Sequence, residues 1–258
     1  MNYLLVLVNE KVNMMLGLKK YWYQTVWFMV SRTLLISAVY IGVSRSVSSD
    51  VLHLVLDEIL VGYVFWIYAS LVYVSALNTI QVAGSNGFVQ QMFVSSVPFG
   101  LIITIRAMAY LLYTIGLTIL LAVIAMLMIE HWLRTDYSVL LVVLLLSTPS
   151  VLGVGFIICG LRLQVSSKYV SSINLVMGIG LFLVCVSNVD AIAPEALNVL
   201  PFFPAIHLAR ELVSRQECFQ IAQLTPTIIN SFCYFVVGVF IYRYLEKMAK
   251  EKDVIGKY

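Results

Sequence analysis

The sequence predicts an all-α integral membrane protein that forms one transmembrane domain over residues 1–258. Hydrophobic residues make up 61% of the chain and charged residues 11%, less than half of the roughly 25% that is typical of soluble domains. Six apolar runs follow one another, most of them long enough to cross a bilayer as a helix. Lysine and arginine concentrate on alternate connectors, as the positive-inside rule requires. These three observations predict six transmembrane helices.

The amino-terminal residues 1–22 are predicted to form a cytoplasmic helix that lies in the membrane interface. Apolar residues recur near helical spacing, with polar residues mostly between them: Leu4, Leu7, Val8, Val12 and Met15. An amphipathic helix of this kind buries its apolar face at the boundary of headgroups and acyl chains. A soluble capping helix is the alternative. A cleavable signal is not expected, because the lysine follows the apolar run and no small-residue cleavage site is present.

The first span, residues 23–43, contains Arg32 roughly three helical turns from its start. An ionisable residue at that depth is costly, so it should face protein, water or a route to the headgroups. The residues alone leave two roles open for Arg32, a structural hydrogen bond and contact with a substrate pathway. A polar connector is predicted at residues 44–58.

The second span, residues 59–77, is rich in aromatic residues. We expect Tyr63, Trp66 and Tyr73 to line the same pathway as Arg32, and packing alone is the alternative. The aromatic residues and the scarcity of charge in the spans favour an amphipathic or lipid-like cargo over a free ion. The class of cargo extends to drugs, lipids, glycolipids and peptides.

The segment at residues 81–98, between the second and third spans, carries no charge, is broken by glycine and ends at Pro98. We interpret it as a cytoplasmic coupling segment that receives a mechanical push from a partner protein. Val89, Met92 and Phe93 have the spacing i, i+3, i+4, so one helical face would present them as an apolar knob to a groove on that partner. An ordinary interhelical loop is the alternative.

The remaining spans are predicted at residues 102–129, 138–160, 173–187 and 226–244. Pro149 lies within the fourth span and removes a backbone donor, so we expect a kink there. A short basic loop at residues 161–172 precedes the fifth span. The segment at residues 188–225 is proline-rich and still apolar, which predicts short re-entrant-type helices that dip into the outer leaflet where protein or water shields their backbone.

The distribution of positive charge predicts that both termini are cytoplasmic. The cations concentrate in the amino-terminal segment, in the loop after the fourth span and in the tail: Lys11, Lys19, Lys20, Arg162, Lys168, Arg243, Lys247, Lys250, Lys252 and Lys257. The alternate connectors have fewer cations, each matched or outnumbered by acids. The coupling segment then lies on the cytoplasmic side of a multi-pass protein, which we expect in a bacterial-type plasma membrane.

The chain lacks the motifs of an enzyme. It has no P-loop, no HExxH and no GxSxG sequence. His53, His131 and His207 stand alone in or beside outer connectors, which is typical of surface or interface residues. Asp57 and Glu58 lie just outside a span, where they are not placed for proton coupling. A net charge of +3 without a basic cluster excludes nucleic acid as a partner, and the cysteines lack the spacing of a metal site.

The run at residues 87–96, GFVQQMFVSS, resembles the segment GTLEQLFLSP that follows the second span in membrane subunits of type-2 ABC exporters. The glycine, the apolar spacing, Gln91 and Ser95 agree with that pattern. The departures are Phe88 for the threonine, Gln90 for the glutamate and Pro98 for a displaced proline.

Two further places resemble the same family. The run GVGFIICGLRLQVSSKYVSSINLV at residues 153–176 is similar to its fourth-span end and short basic loop. The run PFFPAIHLAR at residues 201–210 resembles its proline-to-arginine element before the last span, with the same step of nine residues. The tail, DVIGKY, is similar to the family's cytoplasmic terminus. The likeness covers nearly the whole chain in topology.

The resemblance implies a half-transporter that pairs with a second permease subunit, as a homodimer or a heterodimer, with the pathway at their interface. ATP and Mg would bind to separate cytoplasmic P-loop ATPase subunits, and this chain would bind no cofactor. Those subunits would contact the interfacial helix and the coupling residues Gly87, Val89, Gln90, Gln91, Met92, Phe93 and Pro98. The segment at residues 188–225 would be a gate, with Pro201, Pro204 and Arg210 as its key residues.

Two other classes of protein are weighed against this one. An ATP-independent secondary transporter or channel is the alternative, and it would favour inverted repeats or acids in mid-span, neither of which the sequence shows. A membrane-bound enzyme would need His, Asp or Glu clustered at the interface. We therefore expect an ATP-driven exporter subunit.

Overall fold

The computed structural model describes residues 22–46, 49–85, 99–133, 135–162, 167–186, 199–214 and 220–251. These residues are mostly helical, and no strand occurs among them. The α-helices in this part of the chain are α1 Trp22–Ser46, α2 Ser49–Ser85, α3 Phe99–Ile129, α4 Tyr137–Arg162, α5 Ser167–Val186, α6 Phe203–Ser214 and α7 Thr225–Glu251. A 3₁₀ helix, Ile221–Leu224, precedes α7. The all-α class is confirmed.

Five of the described helices are long and apolar enough to cross a membrane: α1, α2, α3, α4 and α7 with its 3₁₀ turn. The chain therefore has the character of a multi-pass membrane protein. The apolar part of α5, Val176–Cys185, is shorter than these five. Six spans consequently stay a prediction, and so does the side on which the termini lie.

Helix α2 is longer than the sequence predicted, and this corrects two boundaries. The polar connector expected at residues 44–58 is largely wrong, because α1 continues to Ser46 and α2 begins at Ser49. Apolar residues interspersed among the charges of this stretch keep the helix going. At its other end α2 includes residues 81–85, so the first five residues of the predicted coupling segment continue the helix. Its 37 residues span about 55 Å at 1.5 Å per residue, well beyond roughly 30 Å of hydrocarbon.

The later helices follow the predicted spans with shifted ends. Helix α4 runs through Pro149 without a break, and a kink there stays a prediction. Helix α5 begins at Ser167, so much of the loop expected at residues 161–172 is helical. Helix α7 continues to Glu251, past the expected end at residue 244. The added sequence LEKMAKE consists of strong helix formers, which explains the extension.

Helix α2 is the centre of the bundle and α1 is its periphery. In the candidate spans, 72% of the residues of α2 are buried, compared with 6% of those of α1. Helix α2 contacts α1, α3, α4, α5 and α6. Side chains on α2 are therefore held by protein on most sides, whereas most of the α1 surface is left for lipid or another chain.

Glycines bring α4 and α7 into close contact. A Cβ added at Gly153 would collide with the carbonyl oxygen of Tyr234, and one added at Gly238 would collide with the carbonyl oxygen of Gly153. Small residues at such a crossing let two backbones approach within a membrane, where van der Waals packing drives helix association. Helices α4 and α7 both contact α6.

Helix α6 lies inside the predicted gate segment and is buried against α2, α4, α5 and α7. A dip into the outer leaflet stays a prediction. The interfacial helix expected at residues 1–22 lies outside the described residues except for Trp22. The coupling residues from Gly87 to Pro98 lie outside them entirely.

Candidate functional site

Four aromatic side chains and one arginine from α1, α2 and α5 meet at membrane depth. We call this group the Arg32 cluster, and its members are Phe28, Arg32, Tyr63, Trp66 and Phe182. The Arg32 guanidinium carbon lies 3.8 Å from the ring centroid of Trp66 and 4.9 Å from that of Phe28. The Trp66 centroid lies 6.4 Å from that of Tyr63 and 5.0 Å from that of Phe182, which it meets edge to face.

Helical spacing in the sequence creates this cluster. Phe28 and Arg32 are four residues apart on α1, and Tyr63 and Trp66 are three apart on α2, so each pair shares one helix face. Where the two faces meet, a cation lies over the electron-rich face of an indole, the aromatic ring that attracts cations most strongly. The structure brings Arg32, Tyr63 and Trp66 together. The expectation that they line a pathway stays a prediction.

The hydrogen-bond donors of the Arg32 cluster lack acceptors. Among the described residues, Arg32 forms no hydrogen bond and no ion pair. Tyr63 and Trp66 are only 1% and 3% exposed. The Tyr63 hydroxyl and the Trp66 indole nitrogen are therefore shielded from water, and neither has a hydrogen-bond partner. Each such group costs about 1–3 kcal/mol of desolvation free energy, so the cluster is an energetically costly feature that packing alone does not explain.

Tyr73 does not belong to the Arg32 cluster. It follows Tyr63 on α2 by ten residues, which is about 15 Å along the helix axis. Its hydroxyl interacts electrostatically with Arg162 at the end of α4. Four residues were expected along one pathway. Arg32, Tyr63 and Trp66 belong to the Arg32 cluster, whereas Tyr73 lies at a different depth.

The predicted gate residues are structural parts of the bundle in this conformation. Arg210 is 4% exposed and donates a hydrogen bond of 2.7 Å to the carbonyl oxygen of Cys185, in the last turn of α5. A cation at this end of a helix also interacts favourably with the helix dipole. A Cβ at Gly62 would collide with the same carbonyl oxygen, so α2, α5 and α6 meet tightly here. Pro204 lies in the first turn of α6, where proline is well tolerated, and Pro201 lies just before it.

Hydrogen bonds fix the chain where it enters α6. The Phe202 amide donates to the Ser150 hydroxyl at 3.0 Å, and Phe202 has a positive φ of 71°. On α7, the Asn230 amide donates to the Leu200 carbonyl at 3.1 Å, and the Tyr234 hydroxyl donates to the Val199 carbonyl at 2.7 Å. These hydrogen bonds attach the residues before α6 to both α4 and α7.

A second polar group joins α2 to the turn after α3, and the sequence analysis missed it. A ring nitrogen of His131 lies 2.7 Å from a carboxylate oxygen of Asp57, and the rings of His131 and His53 stack with centroids 5.5 Å apart. The expectation that these two histidines stand alone is wrong, because folding brings Asp57 and His131 together across 74 residues. The i, i+4 spacing of His53 and Asp57 on α2 was the available sequence signal.

Asp57 also lies within a candidate span, Leu52–Val74, and is buried. The expectation that it lies just outside a span is therefore corrected. Among the described residues, no group of three His, Cys, Asp or Glu side chains could hold a metal ion.

An apolar cavity opens between α2, α3 and α4 beside this polar group. It has a volume of about 400 Å³, within the roughly 300–1,000 Å³ of typical ligand pockets. Its lining includes Val64, Ile119, Met126 and Leu141, and Ile119 and Leu141 are exposed on the outer surface of the helices. The cavity can accept a hydrocarbon chain from the bilayer.

Comparisons of the chain with protein-family models and with curated proteins found no match. The likeness to type-2 ABC exporters consequently rests on the sequence patterns at residues 87–96, 153–176 and 201–210 alone. The structure supports a helical, multi-pass membrane protein, and its function is a matter for proposal.

Proposed function

We propose that this chain is the transmembrane subunit of an ATP-driven ABC exporter that moves an amphipathic or lipid-like cargo out of the cytoplasm. The observation that favours it most is the Arg32 cluster, a polar and aromatic group at membrane depth on the border of the bundle. ATP would be hydrolysed by a separate P-loop ATPase subunit, since this chain has no nucleotide-binding motif.

The surface beside the Arg32 cluster supports pairing with a second permease subunit. Helix α1 is largely unburied, and Leu34 and Ile41 are 64% and 49% exposed. On α5, Val176, Ile179 and Leu183 recur at i, i+3, i+7 and are all exposed, which makes an apolar stripe along one helix face. A second subunit on this side would enclose Arg32 in a pathway between two chains.

The length of α2 supports mechanical coupling. It continues as a helix into the segment at residues 81–85, so a push on the coupling segment would reach the Arg32 cluster through one rigid element. Tyr63 and Trp66 lie on that same helix. In this proposal the ATPase moves α2, and α2 changes the surroundings of the cargo.

The contact between Asp57 and His131 favours a second candidate function, a proton-coupled secondary transporter. Acids within transmembrane segments mark ion pathways in such proteins, and Asp57 is buried inside a candidate span. This candidate needs no ATPase partner. It predicts that collapsing the proton gradient stops transport, whereas the first predicts that depleting ATP does.

Purification of the tagged chain from native membranes in a mild detergent distinguishes the two. The exporter proposal predicts that a P-loop ATPase co-purifies in a constant ratio to the chain and that vanadate inhibits transport. Transport that continues without ATP and stops on addition of a protonophore would contradict the exporter proposal and support the secondary transporter.

A further inference from the structure

The Arg32 cluster has a chemical imbalance that its own residues do not correct. Its polar groups are a guanidinium, an indole N–H and a phenol O–H, so the charge is positive and nearly all of the hydrogen-bonding capacity is that of donors. No acid among the described residues pairs with Arg32. The Tyr63 hydroxyl and the Trp66 nitrogen are buried without acceptors. An anion with several oxygens would supply acceptors for donors of this kind.

Phosphate is the anion whose geometry fits this set best. A guanidinium binds the two non-ester oxygens of a lipid phosphate through a planar pair of N–H donors, and each of these oxygens can still accept a hydrogen bond from a further donor. The Arg32 guanidinium carbon lies over the Trp66 ring, 3.8 Å from its centroid, and this contact restrains the guanidinium. The ring centroids of Tyr63 and Trp66 lie 6.4 Å apart, so the Tyr63 hydroxyl belongs to the same group of donors.

The position of Arg32 indicates how such a phosphate would arrive. Arg32 is partly exposed on a helix that is only 6% buried in its span. It follows the start of that span, Val26, by six residues, which is about 9 Å of helix. A headgroup drawn inward from the nearer interface can reach this depth while its acyl chains stay in the bilayer. A free phosphate ion would have to enter the hydrocarbon region without such chains.

We propose that the Arg32 cluster is a binding site for the phosphate of an anionic lipid that enters from the bilayer beside α1. In the proposed exporter, this lipid would be either the cargo or a lipid that regulates transport. In that respect the inference rests on the proposed function. Binding itself requires only this chain and a membrane, so it is measured without an ATPase subunit.

Trp66 provides a probe inside the site. The chain has four tryptophans, and replacing Trp22, Trp27 and Trp132 by phenylalanine leaves Trp66 as the only tryptophan, whose emission can be excited selectively over that of the tyrosines. The full chain is placed in nanodiscs of phosphatidylcholine. One preparation contains brominated phosphatidylglycerol, and the other contains brominated phosphatidylcholine at the same mole fraction. Both lipids are brominated near the headgroup. Bromine quenches indole fluorescence on contact. We expect brominated phosphatidylglycerol to quench Trp66 several-fold more than brominated phosphatidylcholine, whose choline compensates its own phosphate.

Variants of the same protein test the role of each donor. Arg32→Met should remove the preference for phosphatidylglycerol, and Tyr63→Phe, which deletes only the unpaired hydroxyl, should reduce it several-fold with helical content unchanged. Arg45→Met is the matched control, because Arg45 is an exposed arginine on the same helix, and it should keep the full preference.

Three results would overturn the inference. Equal quenching by the two brominated lipids in the parent protein would show that no anionic lipid is selected. Loss of the preference in Arg45→Met as much as in Arg32→Met would assign it to general surface charge. Abolition of the preference by added inorganic phosphate would show that the site takes free phosphate from water and not a lipid. Because every measurement uses the isolated chain, an absent ATPase partner would contradict the proposed function and leave this result standing.

Discussion

Tyr63 and Tyr68 are both buried on α2, but they differ in how their hydroxyl groups are satisfied. The Tyr68 hydroxyl lies 2.6 Å from the Thr148 hydroxyl on α4, whereas the Tyr63 hydroxyl has no partner. A hydroxyl kept in a buried place without a partner opposes folding and therefore suggests a function in a state other than this one. This contrast makes the two tyrosines a matched pair for measuring stability.

We predict that Tyr63→Phe and Tyr68→Phe change stability in opposite directions. Tyr63→Phe should leave the free energy of unfolding unchanged or raise it by about 1–3 kcal/mol, because it removes an unsatisfied group. Tyr68→Phe should lower it by about 1 kcal/mol, because a hydrogen bond is lost. The free energy of unfolding of both variants is measured by titration with SDS, starting from the same lipid-free detergent solution. An equal loss of stability in both variants would contradict the assignment of Tyr63.

A second prediction at the residue scale concerns cargo choice. Trp66→Phe removes an N–H from the Arg32 cluster, and Tyr73→Phe removes a hydroxyl about 10 Å further along α2. We expect Trp66→Phe to change the order of preference among competing lipids, drugs and peptides in the assembled transporter, with basal ATPase activity unchanged. Tyr73→Phe should not change that order. If neither variant alters cargo preference, the cluster is a packing feature.

At the scale of helices, the α4–α7 contact depends on glycine. Gly153 and Gly238 lie where an added Cβ would meet backbone atoms of the facing helix, whereas a Cβ at Gly116 on α3 would meet nothing within 4 Å. The two helices support the entry to α6 through Ser150 and Asn230, so a change in their separation should also loosen the gate segment.

We predict that Gly153→Ala lowers the free energy of unfolding by about 1–3 kcal/mol, as overpacking does elsewhere. Gly116→Ala is the control and should have little effect or stabilise slightly, since alanine favours a helix over glycine by up to about 1 kcal/mol. The measurement is unfolding of purified protein in detergent. Equal tolerance of alanine at both positions would show that α4 and α7 do not approach as closely as described.

The helices could be predicted from the sequence more fully than their contacts. Hydropathy located α3 and α4 closely, and the cost of a buried charge singled out Arg32. The pairing of Asp57 with His131 could not be predicted, because it depends on how α2 packs against the turn after α3 and no local pattern encodes that. The ends of α2 were also missed, since polar residues at both ends resemble a connector although they continue a helix.

At the scale of the whole molecule, the described chain leaves one side of its bundle uncovered. Helix α1 and the outer stripe of α5 are exposed beside the Arg32 cluster. Either lipid or a second permease subunit covers this side in the membrane. A charged residue on α1 favours the second over most of this side, because a subunit interface shields the charge better than acyl chains do. The lipid proposed above would then enter through an opening left beside Arg32.

Photo-crosslinking distinguishes the two. A benzophenone amino acid at position 34, in place of the exposed Leu34, should give a product of two permease chains in native membranes, identical or different. The same amino acid at position 240, in place of the exposed Phe240 on α7, is the control and should cross-link mainly to lipid. Equal protein cross-linking from both positions, or none from position 34, would contradict an interface at α1.

The central claim is that ATP hydrolysis on a partner subunit acts on this chain through residues 81–98. Gln90 occupies the place of the glutamate in the type-2 exporter pattern, so coupling would depend on packing by Val89, Met92 and Phe93 more than on charge. The direct measurement is cargo-stimulated ATPase activity of the reconstituted complex. We predict that Phe93→Asp abolishes the stimulation while membrane insertion stays normal, and that Phe93→Leu keeps it. Normal stimulation in Phe93→Asp would contradict the claim.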